Sequence, residues 1–277
     1  MNKPHISFEF FPPQTLEGVD KLTAARQKLA TLNPEFFSCT FGAGGSTQDR
    51  TLETVLKIKA EGYSAAPHLS CVGSTRENIR ALLHTYKNAG INRIVALRGD
   101  LPSGMASIGE FQYANELVSF IRAETGEHFH IEVAAYPEFH PQANSAREDM
   151  LNFKRKVHAG ANSAITQYFY NADAYFRFID EMRKLGITVP IVPGIMPIMK
   201  YSQLARFSDM CGAEIPRWMR KTMEGYGDDS ESVQAFGRDV VTQLCEKLIA
   251  GGAPGLHFYT LNQANASIEI LQRLGYK

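Results

Sequence analysis

The chain has 277 residues, 44% of them hydrophobic and 21% charged, which is enough to bury the core of one α/β barrel. Its 29 lysines and arginines balance its 29 aspartates and glutamates, which excludes the global basic field that attracts nucleic acid or an anionic membrane. There is no bilayer-length apolar run and no signal peptide, and four scattered cysteines indicate buried thiols, so we expect a cytoplasmic protein without a metal site.

Short β-branched and aromatic runs alternate with longer amphipathic stretches, a pattern that indicates βα units and a parallel sheet. The predicted strands are residues 6–10, 36–40, 64–69, 93–97, 130–135, 163–167, 189–194 and 255–259. A helix is predicted after each strand, with Ser74 as the N-cap of the third helix and a long helical region at residues 201–250. Eight such units predict an α/β fold, a single-domain (β/α)8 TIM barrel over residues 1–277. A doubly wound sheet fits less well, because Pro12 and Pro13 stand where it would carry a glycine-rich loop.

Glu9 is the most unusual residue of the first predicted strand, since it lies between Phe8, Phe10 and Phe11. Burying a carboxylate among aromatic rings is costly unless the group is paired, protonated or used. Two interpretations remain open at this point. Glu9 either faces solvent or pairs with a buried arginine, or it is a functional acid.

Further polar residues fall at the C-terminal ends of predicted strands, where barrel enzymes place their active sites. They are Thr40, His68, Arg98, Gly99, Asp100, Tyr136, His140 and Gln167. Taken singly, each has a structural alternative, such as a turn hydroxyl for Thr40 or a core histidine for His68. Their shared position at one rim favours a functional site.

Three segments allow two interpretations each. The glycine-rich residues 41–47 resemble a phosphate cradle but lack the lysine of a P-loop, so a flexible turn is the default. The basic residues 154–156 form either a solvated helix face or a site where Arg155 or Lys156 turns inward to a cofactor diphosphate. The aromatic residues 168–170 fit packing better than a stacking platform.

Six motifs, in chain order, resemble methylenetetrahydrofolate reductase. They are FEFFPP at residues 8–13, APHL at 66–69, ALRGD at 96–100, AAYPE at 134–138, ITQ at 165–167 and HFYTLN at 257–262. Together they span nearly the whole chain. At this length the resemblance is to the bacterial form, a catalytic barrel without a regulatory domain.

The resemblance implies a non-covalent FAD at the barrel mouth and two half-reactions in turn. NAD(P)H reduces the flavin and leaves, and 5,10-methylenetetrahydrofolate then accepts hydride to become 5-methyltetrahydrofolate, which supplies methionine synthesis. The bacterial resemblance favours NADH over NADPH as the reductant. Relatives form homotetramers, which implies a homo-oligomer.

The resemblance also implies roles for individual residues. Glu9 is expected to be the general acid that protonates folate N10, with a pKa raised by the phenylalanines around it. Asp100 is expected beside the flavin ring, where it stabilises a cationic folate iminium. FAD contacts are expected at Thr40, His68, Leu97, Arg98, Gly99, Asp100, Tyr113, Ala114, Ala135, Tyr136, His140, Asp149, Asn152, Arg155 and Lys156. Substrate contacts are expected at Glu9, Gln167, Tyr201 and Gln263.

Gln263 departs from the family pattern, in which an arginine often follows Thr-Leu-Asn and meets the glutamyl tail of folate. A glutamine hydrogen-bonds a carboxylate but brings no charge, and Lys200 is a candidate substitute. Two other functions remain as alternatives. One is a flavin barrel acting on another substrate, such as proline, and the other is a folate- or flavin-binding protein without turnover.

Overall fold

The computed structural model of the protein describes residues 3–41, 45–99 and 109–277, in which parallel strands form a barrel surrounded by helices. The strands are β1 (His5–Phe10), β2 (Phe36–Cys39), β3 (Ala65–Ser70), β4 (Arg93–Leu97), β5 (His130–Ala135), β6 (Ser163–Thr166), β7 (Ile191–Val192), β8 (Gly194–Ile195) and β9 (Gly255–Tyr259). The helices are α1 (Leu16–Ala30), α2 (Gly45–Ala60), α3 (Arg76–Asn88), α4 (Ala114–Thr125), α5 (Ala146–His158), α6 (Ala172–Lys184), α7 (Tyr201–Cys211), α8 (Arg217–Tyr226), α9 (Ser230–Ala250) and α10 (Asn265–Arg273). The predicted (β/α)8 barrel is confirmed.

Pro193 divides the seventh strand of the barrel, which the sequence predicts as continuous, into β7 and β8. β7 pairs with β6 and β8 pairs with β9. The two short strands therefore connect β6 to β9 and complete the barrel. Pro193 has no N–H, but its carbonyl accepts a hydrogen bond from the His257 amide at 3.0 Å. Gly194 then donates to Thr166 Oγ1 at 2.9 Å, and a Cβ at Gly194 would lie 2.2 Å from the Thr166 carbonyl oxygen. A glycine is therefore required where the barrel closes.

The two faces of β1 point into different layers of the protein. Phe8 and Phe10 are fully buried between the sheet and the helices, where their rings lie 6.0 and 5.6 Å from that of Phe37. Burial of each phenylalanine contributes about 1.5–3 kcal/mol. Ser7 and Glu9 occupy the alternate positions and face the barrel interior, since side chains alternate across a strand.

A buried ion-pair network lies at the N-terminal end of the barrel. Arg93 Nη1 donates to Glu132 Oε1 at 2.5 Å, and Ser163 Oγ donates to Glu132 Oε2 at 2.6 Å. Burial raises the pKa of Glu132, but hydrogen bonds from His130 and Ser163 and the charge of Arg93 outweigh it and lower the pKa. Loss of any one partner would leave a buried charge uncompensated, so this network is structural.

The helices agree with the predictions apart from one cap. Thr75, and not Ser74, is the N-cap of α3, because its side chain accepts a hydrogen bond from the Asn78 amide at 3.2 Å. The predicted helical region at 201–250 consists of α7, α8 and α9. Within the described part of the chain, no helix combines the length and the hydropathy needed to cross a membrane.

Candidate active site at the barrel mouth

Glu9 contacts two histidines inside the C-terminal end of the barrel. Its Oε2 lies 3.3 Å from His68 Nε2 and 3.5 Å from His257 Nε2. Ser7 Oγ lies 2.7 Å from His257 Nδ1, and both Ser7 and His257 are buried. Four polar side chains from β1, β3 and β9 thus form one cluster. The site residues predicted from the sequence include Glu9 and His68 but not His257, although its spacing of two from Tyr259 places both on the same face of β9.

The expectation of a raised pKa for Glu9 is wrong. Burial raises its pKa, but the charge of nearby His68 and hydrogen bonds with His257 and His68 outweigh this and lower it to about 2. The reason lies in the strand geometry, because Phe8 and Phe10 lie on the opposite face of β1 and Phe11 is 45% exposed. Glu9 therefore sits among imidazoles and not among phenyl rings.

A cavity of about 390 Å³ lies next to this end of the barrel, between β4, β5, α4 and α5. It is lined by ten of the residues expected to contact FAD, which are Leu97, Arg98, Gly99, Tyr113, Ala114, Tyr136, His140, Asp149, Asn152 and Lys156. Four further polar residues line it that were not among the site residues expected from the sequence, namely Asn115, Gln142, Asn144 and Glu148. We call this cavity the β4–β5 cavity.

Helix α5 presents one polar face to the β4–β5 cavity. Asp149, Asn152 and Lys156 are spaced by three and four residues, so they share a face, whereas Arg155 is exposed. Of Arg155 and Lys156, the two basic residues that the sequence offered for an inward position, Lys156 is therefore the one that turns inward. Lys156 Nζ donates to the Ala134 carbonyl at 2.5 Å, and burial lowers its pKa to about 8 against the opposing charge of Asp149.

Gly99 allows β4 to approach β3 closely where the chain enters the cavity. Its φ is +83°, and an added Cβ would lie 1.9 Å from Ser70 Oγ. Ser70 Oγ itself donates to the Arg98 carbonyl at 2.9 Å. Glycine is therefore required on both conformational and steric grounds, and it holds Arg98 at the cavity wall.

The remaining expected residues are distributed around the same end of the barrel. Thr40 and Ala135 end or follow β2 and β5 but do not line the β4–β5 cavity. Gln167 follows β6, is half-buried, and accepts a hydrogen bond from the Tyr168 amide at 2.9 Å. Tyr201 begins α7, and its hydroxyl donates to Glu224 at 3.3 Å. Gln263 is exposed after β9.

The aromatic segment at residues 168–170 is buried packing. Tyr168, Phe169 and Tyr170 are all buried, and the Tyr170 hydroxyl donates to the Met196 carbonyl at 3.2 Å, so the packing interpretation is confirmed. Asp100 and residues 42–44 of the glycine-rich turn lie outside the described residues.

A parallel barrel with a polar cluster and an adjoining cavity at its C-terminal end is the architecture of an α/β-barrel enzyme. The family model of methylenetetrahydrofolate reductase matches residues 1–275, and the chain belongs to this family of oxidoreductases. It is 43% identical over 274 residues to the 5,10-methylenetetrahydrofolate reductase of Escherichia coli (strain K12), covering 99% of this chain and 91% of that protein.

Two further comparisons cover nearly the whole chain. A probable methylenetetrahydrofolate reductase (NADH) of Oryza sativa subsp. japonica is 40% identical over 284 residues, covering 98% of this chain and 48% of the plant protein. A solved structure from Clostridium thermocellum, of a protein that binds two copies of 5-methyl-5,6,7,8-tetrahydrofolic acid, has a TM-score of 0.70 at 17% identity, covering 99% and 95% of the two chains. At that identity the structural likeness shows the fold alone.

Proposed function

We propose that the protein reduces 5,10-methylenetetrahydrofolate to 5-methyltetrahydrofolate with electrons from NADH, through a non-covalently bound FAD, in two half-reactions. When bound, FAD supplies the redox chemistry, taking hydride from the nicotinamide and giving it to the one-carbon unit. The product serves methionine synthesis. The observation that carries the proposal is the Glu9–His68–His257 cluster at the same end of the barrel as the β4–β5 cavity, in a chain of this family.

The β4–β5 cavity has donors that fit a flavin dinucleotide. Lys156 and Arg98 bring two cations suited to a diphosphate, and the carboxylate of Asp149 and amide of Asn152 suit the hydroxyls of a sugar chain. Gly99 lines the cavity with backbone atoms alone, which a flat ring could approach closely. The NADH named for the plant relative supports NADH as the reductant.

The Glu9 cluster would supply the proton that opens the folate ring. Hydride reaches the one-carbon unit only after N10 has departed, and N10 departs when it is protonated. Glu9 Oε2 lies 3.3 Å from His68 Nε2 and 3.5 Å from His257 Nε2, so a proton could pass between the carboxylate and either imidazole. Because its lowered pKa leaves Glu9 ionised near neutral pH, Glu9 would first take up a proton, from solvent or through a neighbouring imidazole, and would then pass it to N10. Ser7 would hold the orientation of His257.

Three other residues complete the proposed site. Gln167 would hydrogen-bond the pterin with its side-chain amide, and Tyr201 would serve the nicotinamide and the folate in turn. Asp100 would stabilise the cationic form of the opened folate. We also propose that the protein works as a homo-oligomer.

A visible absorption spectrum of the purified protein with added FAD tests this function. We expect bound-flavin bands that NADH bleaches, and methylenetetrahydrofolate should then restore them with formation of 5-methyltetrahydrofolate. Failure to bind FAD would contradict the proposal. Reoxidation by proline metabolites but not by the folate would point to another substrate. Flavin bands that NADH does not bleach would leave a folate- or flavin-binding protein without turnover.

A further inference from the structure

A second cavity, of about 180 Å³, lies at the N-terminal end of the barrel, opposite the Glu9 cluster. Its lining includes Ser7, Glu35, His130, Glu132 and Val192, and we call the cavity defined by these residues the N-terminal cavity. The side chains of Glu35 and His130 are each 39% exposed, so the cavity is open to solvent. An ordered water needs only about 10–15 Å³ of such space, so the cavity has room for several waters.

Ser7 and His257 connect the N-terminal cavity to Glu9 through the barrel interior. They are register partners on the paired strands β1 and β9, and Ser7 Oγ lies 2.7 Å from His257 Nδ1. The other ring nitrogen, Nε2, lies 3.5 Å from Glu9 Oε2. His257 is fully buried, and Ser7 is 4% exposed. One imidazole therefore bridges a hydroxyl on the cavity side and a carboxylate on the active-site side.

The packing around His257 fixes the plane of its ring. Phe36 stacks on the imidazole at a centroid distance of 5.8 Å, and the Tyr259 ring meets it edge-on at 5.5 Å. The titratable or charged groups that the neighbouring strands bring to this part of the barrel are Glu9, His68, Arg93, Glu132 and Tyr259. Arg93 and Glu132 pair with each other, which leaves Glu9 as the acceptor that faces Nε2.

We propose that Glu9 receives the proton for the folate half-reaction from the N-terminal cavity, relayed by Ser7 and His257. This inference rests on the proposed function. In that half-reaction, flavin and folate would cover the C-terminal mouth of the barrel. The lowered pKa of Glu9 leaves its carboxylate ionised beforehand, so a proton has to arrive from elsewhere. The opposite end of the barrel offers a continuous polar connection to it.

The relay moves one proton at each link. When the Ser7 hydroxyl donates to His257 Nδ1, the proton of the neutral imidazole is on Nε2 and faces Glu9. The Nε2–H bond breaks as an O–H bond forms on Glu9 Oε2, and the Ser7 hydroxyl proton passes to Nδ1. A hydrated proton of the N-terminal cavity replaces it on Oγ. The imidazole is neutral before and after, and exchange with solvent through the open mouth between half-reactions restores its first tautomer.

Rapid mixing of the flavin-reduced holoenzyme with methylenetetrahydrofolate, from pH 6 to pH 9, tests the relay. Ser7→Ala should slow flavin reoxidation by about tenfold or more, and Ser7→Thr, which keeps the hydroxyl, should stay within about threefold of the parent. The deficit of Ser7→Ala should grow as the pH rises, because direct protonation of Glu9 from the mouth becomes slower. Val192→Phe, which fills the N-terminal cavity without changing a polar group, should produce a similar deficit. Ser267→Ala, which removes a buried serine hydroxyl from α10, is the matched control and should match the parent.

A solvent isotope measurement separates a relay from a structural role. In the parent, the reoxidation rate should fall along a curve as the fraction of D₂O rises, since several protons move together, whereas in Ser7→Ala it should fall along a straight line. Unchanged NADH–menadione turnover shows that each variant is folded and loaded with flavin.

The proposed function and the relay fail in different ways. Reoxidation at the parent rate in Ser7→Ala or Val192→Phe, or a Ser7→Ala deficit that is equal at every pH, would overturn the relay while the parent still makes 5-methyltetrahydrofolate. A parent whose reduced flavin does not react with the folate would overturn both.

Discussion

Replacing Lys156 by methionine separates the cost of burying its ammonium from its role in cofactor binding. The side chain is part-buried beside the β4–β5 cavity and donates to the Ala134 carbonyl. Methionine keeps the length and the apolar stem but carries no charge. Lys154→Met on the same helix is the matched control.

The magnitude follows from proton linkage. Burial lowers the pKa of Lys156 from its ordinary 10.5 to about 8, with Asp149 opposing the shift. The folded protein therefore holds fewer protons than the unfolded chain between these two values, and stability rises with pH across that window. The free-energy cost of burying the charged Lys156 ammonium is fully present below about pH 8. Integrating both titrations from pH 7 to 10 gives about 2.5 kcal/mol for a fully buried group, and part exposure reduces this to about 1–2 kcal/mol.

Urea unfolding of the flavin-free protein at pH 7 and pH 10 measures this effect. The stability difference between the parent and Lys156→Met should shift by about 1–2 kcal/mol in favour of the parent as the pH rises. Subtracting the variant removes the contributions of tyrosines and cysteines that titrate in the same range. A difference that does not change with pH, or one that Lys154→Met reproduces, would refute the account.

Lys156→Met should also weaken the binding of FAD. A diphosphate favours the charged form of Lys156, so the parent's affinity for FAD should fall as the pH rises above about 8. In Lys156→Met, affinity should be lower by about tenfold at pH 7 and nearly flat with pH, by flavin fluorescence titration. Equal pH profiles for parent and variant would mean that the ammonium does not meet the cofactor.

Two further substitutions test the scaffold. Gly99→Ala should destabilise the protein by about 2–4 kcal/mol in urea unfolding, because alanine would need a left-handed φ there and its Cβ would overlap with Ser70. Ser70→Ala should relieve part of that loss in the double variant. If the free-energy changes of the two single variants simply add in the double variant, the clash is excluded. Arg122→Met should cost about 2–4 kcal/mol, since Arg122 donates to the carbonyls of Gly160 and Phe129 at 2.7 and 2.8 Å; a change below 0.5 kcal/mol would contradict this.

The barrel follows from features that are local in the sequence. Strand and helix patterns, and polar residues at strand ends, are set within each βα unit, and parallel strands bring those ends together. For this reason the motifs carrying Arg98 and Tyr136 predicted residues that meet in one cavity, whereas Asp149 of the same cavity was expected only from the family resemblance. The interruption at Pro193 is also local, but a proline alone does not show whether the strand ends or continues beyond it.

The environment of Glu9 was not predictable in the same way. Chain proximity suggested phenyl rings as its neighbours, whereas side-chain alternation turns Phe8 and Phe10 to the other face of β1. Its actual partners, His68 and His257, lie 59 and 248 residues away along the chain. The direction of a pKa shift depends on such long-range contacts, so the sequence alone led to the opposite sign.

Rapid-mixing measurement of the two half-reactions in Glu9→Gln tests the central claim most directly. Glutamine keeps the shape of the side chain but holds no acidic proton. We predict that NADH reduces the bound flavin at a rate within about threefold of the parent, while reoxidation by methylenetetrahydrofolate slows by at least about a thousandfold, a barrier increase of about 4 kcal/mol. Equal slowing of both half-reactions, or full retention of the folate half-reaction, would contradict a proton-donating Glu9.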